Sequence, residues 1–261
     1  MKKGTFCISI DLELLWGRKD LNYTKFIPKI KKERKIIKKL LELFTKYEIP
    51  VTWAVVGKLY ENGDELWSGK DIINSIKKEK IHELGSHTYS HEIINQISAK
   101  QANDEFAKNK AFSFVFPRNR VKYLDLLKKN GFKVYRGPDE TNTATHAIQI
   151  INLLLGVSPT TSLPIRKNGL INIPGSMYFV SARGIRRYIL SGFRFRRSKS
   201  GINKAISKKE VFHLWFHPID FSDNTTSLIR EFEEILKYAA KKRNEGLLDI
   251  KTMQQITQNY K

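Results

Sequence analysis

The stretch that decides the fold reads Phe6-Cys7-Ile8-Ser9-Ile10-Asp11-Leu12-Glu13-Leu14. Successive side chains point to opposite faces of a strand, so Ile8, Ile10 and Leu12 share one face. Asp11 and Glu13 lie together on the other face. These residues therefore predict a strand that brings two carboxylates to one side of its carboxyl end.

Strands and helices alternate along the rest of the chain. Helices are predicted at residues 28–46, 71–80, 99–109, 121–130 and 228–242, and strands at 50–56, 81–85, 112–116, 132–135, 211–216 and 247–250, with 167–177 extended. This rhythm favours a parallel sheet or barrel with helices outside, in a single domain over residues 1–261. In such folds ligands bind at the carboxyl ends of the strands.

The composition favours a folded protein without a membrane span. With 261 residues, of which 41% are hydrophobic and 11% aromatic, the chain can bury a full core. The most apolar part of the longest uncharged stretch, residues 147–157, is too short and too polar to cross a bilayer. The single cysteine, Cys7, permits no intrachain disulfide, which suits a reducing cytosol. We therefore expect a cytoplasmic protein.

The formal charge of +21 is concentrated in a basic insertion at about residues 141–209. No acidic residue occurs between Glu140 and Glu210, and that interval holds twelve cations: Arg166, Lys167, Arg183, Arg186, Arg187, Arg194, Arg196, Arg197, Lys199, Lys204, Lys208 and Lys209. Such a segment suits peripheral contact with the anionic inner membrane face, or the phosphates of a lipid-pyrophosphate-linked sugar. Nucleic acid ranks last, because no recognition motif accompanies the cations. A solvated basic face without any partner is the fourth interpretation.

A second chemical motif is Gly85-Ser86-His87-Thr88-Tyr89-Ser90-His91. Its two histidines are four positions apart, so a helical turn would direct both imidazoles to one cation of the zinc class. In the related H-E-x-x-H pattern a glutamate stands where this chain has Thr88, so the base must come from elsewhere. Taken alone, the spacing is more typical of two surface histidines on a helix.

A third motif is the strand Val211-Phe212-His213-Leu214-Trp215-Phe216, followed by His217-Pro218. Alternation places His213, Trp215 and His217 on one face. Each histidine alone is more often a hydrogen-bonded core residue than a catalyst. Together the three motifs supply carboxylates, imidazole ligands and a spare imidazole at successive strand ends, which indicates an active site.

These motifs resemble the polysaccharide deacetylase family, the carbohydrate esterases with NodB homology. Residues 9–13 look like the family's first motif, 85–91 its second, 114–117 its third and 213–218 its last. Members of the family use one divalent metal to remove acyl groups from sugars. The resemblance implies their α/β fold, a distorted (β/α)7 barrel.

The resemblance also implies a metal site. His87 and His91 correspond to two metal ligands and Asp11 to the general base. The family commonly has a second aspartate next to the base, but Leu12 stands there and cannot bind a metal. Because Glu13 shares the face of Asp11, we expect Glu13 to be the third ligand. The expected metal is zinc, with cobalt, nickel or iron as alternatives.

Other roles follow from the same comparison. We expect His217 to protonate the leaving amine, with His213 as second choice or as its orienting partner. The arginine that orients the family's base falls at Val115 in this chain, which leaves Arg118 or Arg120 as substitutes. For the family's fourth motif, Arg136 and Asp139 are the stand-ins. The residues expected to contact substrate are Trp16, Pro117, Arg118, Arg136 and Trp215.

The expected function is a metal-dependent hydrolase that removes an N-acetyl or N-formyl group from an amino sugar. The substrate would be a polysaccharide or its lipid-linked precursor. A glycosidase is disfavoured, because Asp11 and Glu13 lie on one strand and cannot flank a scissile bond. The rival hypothesis is a degenerate barrel that has lost its metal and binds carbohydrate, membrane or polyanion without chemistry.

Overall fold

The computed structural model describes residues 1–138, 157–182, 184, 189 and 192–258. Within these ranges one sheet contains ten strands: β1 (Gly4–Leu12), β2 (Thr52–Val55), β3 (Glu83–Ser86), β4 (Ser113–Val115), β5 (Val134–Arg136), β6 (Ile165–Lys167), β7 (Leu170–Asn172), β8 (Met177–Tyr178), β9 (Val211–Phe216) and β10 (Leu248–Ile250). The α-helices of the same ranges are α1 (Ile27–Tyr47), α2 (Lys70–Lys78), α3 (Ala99–Lys108), α4 (Leu124–Lys129), α5 (Phe193–Lys208), α6 (Thr225–Asn244) and α7 (Met253–Gln258).

The strand order is β6-β7-β5-β4-β3-β2-β1-β9-β8, and β10 pairs with the start of β1. Every pairing between these strands is parallel except that of β6 with β7, which forms a hairpin. Parallel strands end at the same edge, so side chains from distant parts of the sequence meet there.

One extended segment closes this sheet into a barrel. β7 pairs with β5, and β8 pairs with β9 at the opposite end of the strand order. Between β7 and β8, the Ile173 amide donates to the Tyr135 carbonyl at 3.0 Å and the Ser176 amide donates to the His213 carbonyl at 2.9 Å. Residues 170–179 therefore bridge both ends of the sheet and complete a ring formed by β1 to β5, this segment and β9. The predicted distorted (β/α)7 barrel is confirmed.

The helices cover the outside of the barrel and bury their apolar faces against it. Helix α1 has Pro28 in its first turn, where the missing amide hydrogen costs nothing, and it ends at Glu48 in the left-handed conformation (φ 51°). Its Phe44 packs edge-on against Phe232 of α6 at 6.0 Å. A separate aromatic cluster under α3 joins Phe106 to Phe114 at 5.2 Å. Among the described helices, none is long and apolar enough to cross a membrane.

The basic insertion is described only in part. Asp139, Arg183, Arg186 and Arg187 lie outside the described residues, so their predicted roles stay predictions. Three cations of the described part bind groups of the chain itself. Arg194 is buried and pairs with Glu231 at 3.0 Å, Arg197 donates to the Val157 carbonyl at 3.1 Å, and Lys204 donates to the Pro159 carbonyl at 3.2 Å. These three side chains hold α5 against neighbouring segments.

Candidate active site

Side chains from four strands meet at the carboxyl edge of the barrel. Asp11 and Glu13 lie at the end of β1, His87 directly follows β3, Arg136 ends β5 and His217 directly follows β9. The first four are buried, and the side chain of His217 is 19% exposed. The predicted convergence of the β1 acids with the two histidine motifs is therefore present.

Glu13, His87 and His91 form a compact cluster of potential metal ligands. The Glu13 Oε1 atom lies 3.1 Å from Nε2 of His87 and 3.1 Å from Nε2 of His91. All three side chains are buried, and their ligand atoms lie within 4.8 Å of one another. Two imidazoles and one carboxylate are a donor set typical of catalytic zinc sites, which keep another position for water or substrate.

The hydrogen bonding of His87 shows that the cluster fits a cation. Nδ1 of His87 lies 2.8 Å from the Val115 carbonyl, which can only accept, so Nδ1 carries the hydrogen. In neutral His87 the lone pair of Nε2 then faces the Glu13 carboxylate at 3.1 Å. Two acceptors so close together require a cation or an additional proton between them.

The turn that presents both histidines differs from the prediction. We expected a helical turn, but residues 87–93 are irregular, and both Thr88 (φ 62°) and His91 (φ 60°) adopt the left-handed conformation. That conformation costs roughly 1–2 kcal/mol for a residue with a side chain. Hydrogen bonds hold the turn, because Asn109 donates to the Thr88 carbonyl at 2.8 Å and Glu105 accepts from the Ser90 amide at 2.8 Å.

Asp11 is held by an arginine that the motif comparison placed incorrectly. Arg136 donates from Nη1 to Asp11 Oδ1 at 2.8 Å and from Nη2 to Oδ2 at 2.7 Å. The expected substitute Arg118 instead pairs with Asp20 at 2.8 Å. Burial alone would raise the pKa of Asp11, but Arg136 and two nearby histidines lower it below its usual value. Asp11 is therefore a carboxylate in a fixed orientation.

His213 is buried behind this pair. Arg136 Nη1 donates to Ser9 Oγ at 2.8 Å, and the Ser9 hydroxyl donates in turn to Nε2 of His213 at 2.9 Å. Nδ1 of His213 donates to the Ile173 carbonyl at 3.2 Å. Burial, assisted by the charge of Arg136, lowers the pKa of His213 to about 3. His213 is thus neutral, and it contacts Ser9 instead of His217.

His217 lies beside both acids at the open end of the site. Its Nε2 is 3.3 Å from Glu13 Oε1 and 3.7 Å from Asp11 Oδ2, and its Nδ1 donates to Asp220 at 3.1 Å. Burial alone would lower the pKa of His217, but Glu13 and Asp220 raise it to about 10. The imidazole can therefore carry a proton at neutral pH, as a general acid must.

Comparison with known sequences agrees with this geometry. A family profile described as Polysaccharide deacetylase matches residues 28–113, which include His87 and His91. The peptidoglycan deacetylase of Helicobacter pylori (strain ATCC 700392 / 26695) is 38% identical over 73 residues. Over these residues the chain is similar to the polysaccharide deacetylases. The match covers 28% of this chain and spans only 22% of the length of the Helicobacter protein.

Solved structures with the same fold cover nearly the whole chain. A Mycobacterium smegmatis protein assigned to the polysaccharide deacetylases superposes with a TM-score of 0.70 at 12% identity, covering 98% of this chain and 90% of that one. The allantoinase PuuE superposes with a TM-score of 0.68 at 12% identity and the same coverage. At such identities the likeness establishes the fold.

The side chains expected to contact substrate differ in whether they lie beside the site or are packed into the protein. Trp215 is half-buried beside the site, with the Arg136 guanidinium 4.5 Å from its ring and Tyr178 4.7 Å away. Trp16 is committed to packing, because its indole N–H donates to the Trp67 carbonyl at 2.8 Å. Pro117 is buried. Of Trp16, Pro117 and Trp215, only Trp215 flanks the Asp11–Arg136 pair directly.

Sequence reasoning missed several residues of this deacetylase-like site. Ser9 joins Arg136 to His213, and strand alternation already placed it on the face of Asp11. Asp220 holds His217, and its position three residues further along was the available signal. No pattern in the sequence pointed to Tyr178. Arg18, which donates to Glu13 Oε2 at 3.2 Å, was also overlooked.

Proposed function

We propose that this protein is a hydrolase that removes an N-acyl group from an amino sugar, either in a polysaccharide such as peptidoglycan or in its lipid-linked precursor. One observation carries the proposal: Glu13, His87 and His91 converge on one point, with Asp11 and His217 beside it. The relationship to polysaccharide deacetylases supports the choice of substrate. An acetyl group is the first candidate for the acyl group, and a formyl group is the second.

Glu13, His87 and His91 would hold a divalent metal ion. We propose zinc, with cobalt, nickel or iron as alternatives, because imidazole and carboxylate suit all four. A metal of this class supplies a Lewis acid that polarises the acyl carbonyl and makes water acidic. Burial alone would raise the pKa of Glu13, but His217 and His91 hold it well below the usual value, so Glu13 provides a negative charge at the site.

Asp11 is the proposed general base. Its pKa is low and Arg136 fixes both of its oxygens, so it stays ionised and points in one direction. As water attacks the acyl carbon, Asp11 takes its proton. A carbon–oxygen bond forms in this step, and the orientation imposed by Arg136 reduces the motion needed for proton transfer.

His217 is the proposed general acid. When the carbon–nitrogen bond breaks, the departing nitrogen needs a proton, and the protonated His217 imidazole can donate it from Nε2. The products are the carboxylic acid and the free amino sugar. Asp220 binds Nδ1 at 3.1 Å and so keeps Nε2 directed towards the acids. Trp215 and Tyr178 offer aromatic faces on which a sugar ring can stack.

The degenerate binding protein is not favoured as an alternative. All three proposed ligands are present and converge, and Asp11 keeps an arginine partner despite Val115 in the motif position.

For the setting we propose the cytoplasm, with the basic insertion contacting the anionic inner membrane face or a lipid pyrophosphate. This part rests on the single cysteine and the charge pattern. Failure to float with anionic liposomes at low salt would remove the membrane contact.

The test combines metal analysis with an amine-release assay. We expect about one divalent ion per chain in protein purified without chelators, and release of free amine from N-acetylated peptidoglycan fragments or chitin oligomers. Glu13→Gln should abolish both metal binding and activity, whereas Glu42→Gln, on the exposed face of α1, should change neither. A wild-type protein that binds no divalent ion and gains no activity from added metal would contradict the proposal.

A further inference from the structure

The two oxygens of the Glu13 carboxylate have different surroundings. Oε1 faces Nε2 of His87 and of His91, each at 3.1 Å, and also lies 3.3 Å from Nε2 of His217. Oε2 turns away from them and accepts a hydrogen bond from Arg18 Nη1 at 3.2 Å. The carboxylate is therefore presented to the two imidazoles through one oxygen.

Gly17 provides the space in which Glu13 adopts this orientation. A Cβ atom at position 17 would lie 1.7 Å from Glu13 Oε2 and 2.5 Å from its Cδ. Gly17 is not among the described glycines with positive φ, so its backbone would accept another residue. Glycine is required here because the carboxylate occupies the volume of a side chain.

Arg18 is itself fixed in place. Its Nη1 also donates to the Gly17 carbonyl at 2.7 Å, its guanidinium lies 5.5 Å from the centre of the Phe26 ring, and its side chain is only 11% exposed. An arginine guanidinium stays protonated in proteins, so Arg18 remains a cation. Removing it would leave the buried Glu13 carboxylate without this partner.

We propose that Gly17 and Arg18 are positioning residues that hold Glu13 so that only Oε1 is offered to a bound divalent ion. A glutamate has one more rotatable bond than the aspartate expected at this point of the motif. The contacts with Gly17 and Arg18 fix the orientation of the Glu13 carboxylate in spite of that additional bond. The inference rests on the proposed metal site. Groups that orient a ligand in this way are typically responsible for about 10–100-fold in metal affinity.

The first experiment measures zinc affinity by competition with a chromogenic chelator, using metal-stripped protein shown to be folded by circular dichroism. Arg18→Met should weaken zinc binding by about 10–100-fold. Arg34→Met is the matched control, because Arg34 also binds a carboxylate, that of Asp71, and two backbone carbonyls, but far from the site. The control should bind zinc like the wild type.

Gly17→Ala is the second variant, and it changes no charge. Its Cβ must displace the Glu13 carboxylate, so zinc affinity should fall by at least about 10-fold. Gly63→Ala is its control, because a Cβ there meets no atom closer than 3.8 Å. This pair separates loss of orientation from loss of the Arg18 charge.

The visible absorption of the cobalt-loaded protein gives a readout that general destabilisation does not change. Releasing Oε2 in Arg18→Met should alter the band positions or intensity, because the spectrum reports the number and geometry of ligands. If the wild type binds no zinc, the proposed function itself fails. If the wild type binds zinc and both variants match its affinity and cobalt spectrum, the metal site stands and the role of Gly17 and Arg18 is refuted.

Discussion

His213 in the middle of β9 and His217 directly after its end have opposite properties. His213 is 0% exposed and has its pKa lowered to about 3, whereas His217 keeps a 19% exposed side chain and has its pKa raised to about 10. The two histidines are four residues apart in the sequence. The difference arises because His217 faces the carboxylates of Glu13 and Asp220, while His213 is buried next to the cationic Arg136.

This contrast shows that two histidines close together in the sequence can have different roles, one structural and one suited to proton transfer. At His213 both ring nitrogens are used by Ser9 and Ile173, so the ring can neither gain nor deliver a proton without breaking the array. At His217 one nitrogen is anchored by Asp220 and the other points to the acids of the site. A histidine that is buried with hydrogen-bond partners alone stays neutral and has a structural role. A histidine that is buried among carboxylates keeps its proton and can donate it.

The largest expected effect separates the two histidines by activity. His217→Gln should lower kcat by about 10²–10⁴-fold, because the leaving amine loses its proton donor. His213→Gln should lower kcat far less in protein that remains folded. Amine release measured with saturating substrate checks both. Equal losses of kcat in the two folded variants would remove the distinction between support and donor.

A second effect concerns Arg136, which touches both regions through Asp11 and Ser9. Arg136→Met should destabilise the fold by about 3–5 kcal/mol, because it leaves the buried Asp11 carboxylate without its partner. Arg118→Met is the control, since its partly exposed pair with Asp20 should contribute under about 1 kcal/mol. Urea unfolding at pH 7 gives both values. Equal stabilities would mean that Asp11 is not held as a buried ion.

A third effect is the pH dependence that His213 imposes on stability. Its folded pKa of about 3 lies below the ordinary 6.5, so the unfolded chain takes up a proton that the folded chain refuses. The free energy of unfolding that depends on neutral His213 is fully present above about pH 6.5. It is lost as the pH falls towards 3, by about 1.4 kcal/mol per pH unit.

Comparison with His213→Gln isolates that contribution. The difference in unfolding free energy between wild type and variant should shrink by about 2 kcal/mol from pH 7 to pH 5. Urea titrations at several pH values measure it. A difference that stays constant over this range would show that His213 can be protonated in the folded protein.

The smallest expected effect lies at the rim. Arg118 donates to Asp20 and to the Gly17 carbonyl and adds to the positive potential at His91. If this side chain contacts substrate, as its motif position predicts, Arg118→Met should raise KM several-fold and leave kcat unchanged, the pattern of lost uniform binding. Steady-state kinetics on an oligosaccharide series checks it. A fall in kcat at constant KM would instead assign Arg118 to the chemical step.

Most of the elements and the acid–histidine convergence could be predicted because they depend on local patterns, whereas helices α5 and α7 were not predicted. The alternation at residues 6–14 placed Asp11 and Glu13 on one face, and the parallel rhythm of strands predicted that they would meet His87 and His91. The helical turn expected at the histidine pair was wrong. Spacing alone could not show that Asn109, which donates to the Thr88 carbonyl, and Glu105, which accepts from the Ser90 amide, hold a turn in which Thr88 and His91 are left-handed.

The sequence by itself determined which residues lie at the carboxyl ends of the strands, since local hydrophobic patterns set the period of a strand and the residue at which it ends. Only the tertiary structure decided that Arg136, not Arg118, holds Asp11. In the sheet order β4, β3 and β2 lie between β5 and β1, so Arg136 and Asp11 meet only across the closed barrel. The charges of His213 and His217 were decided in the same way, because a pKa depends on burial and on through-space neighbours that no local pattern records.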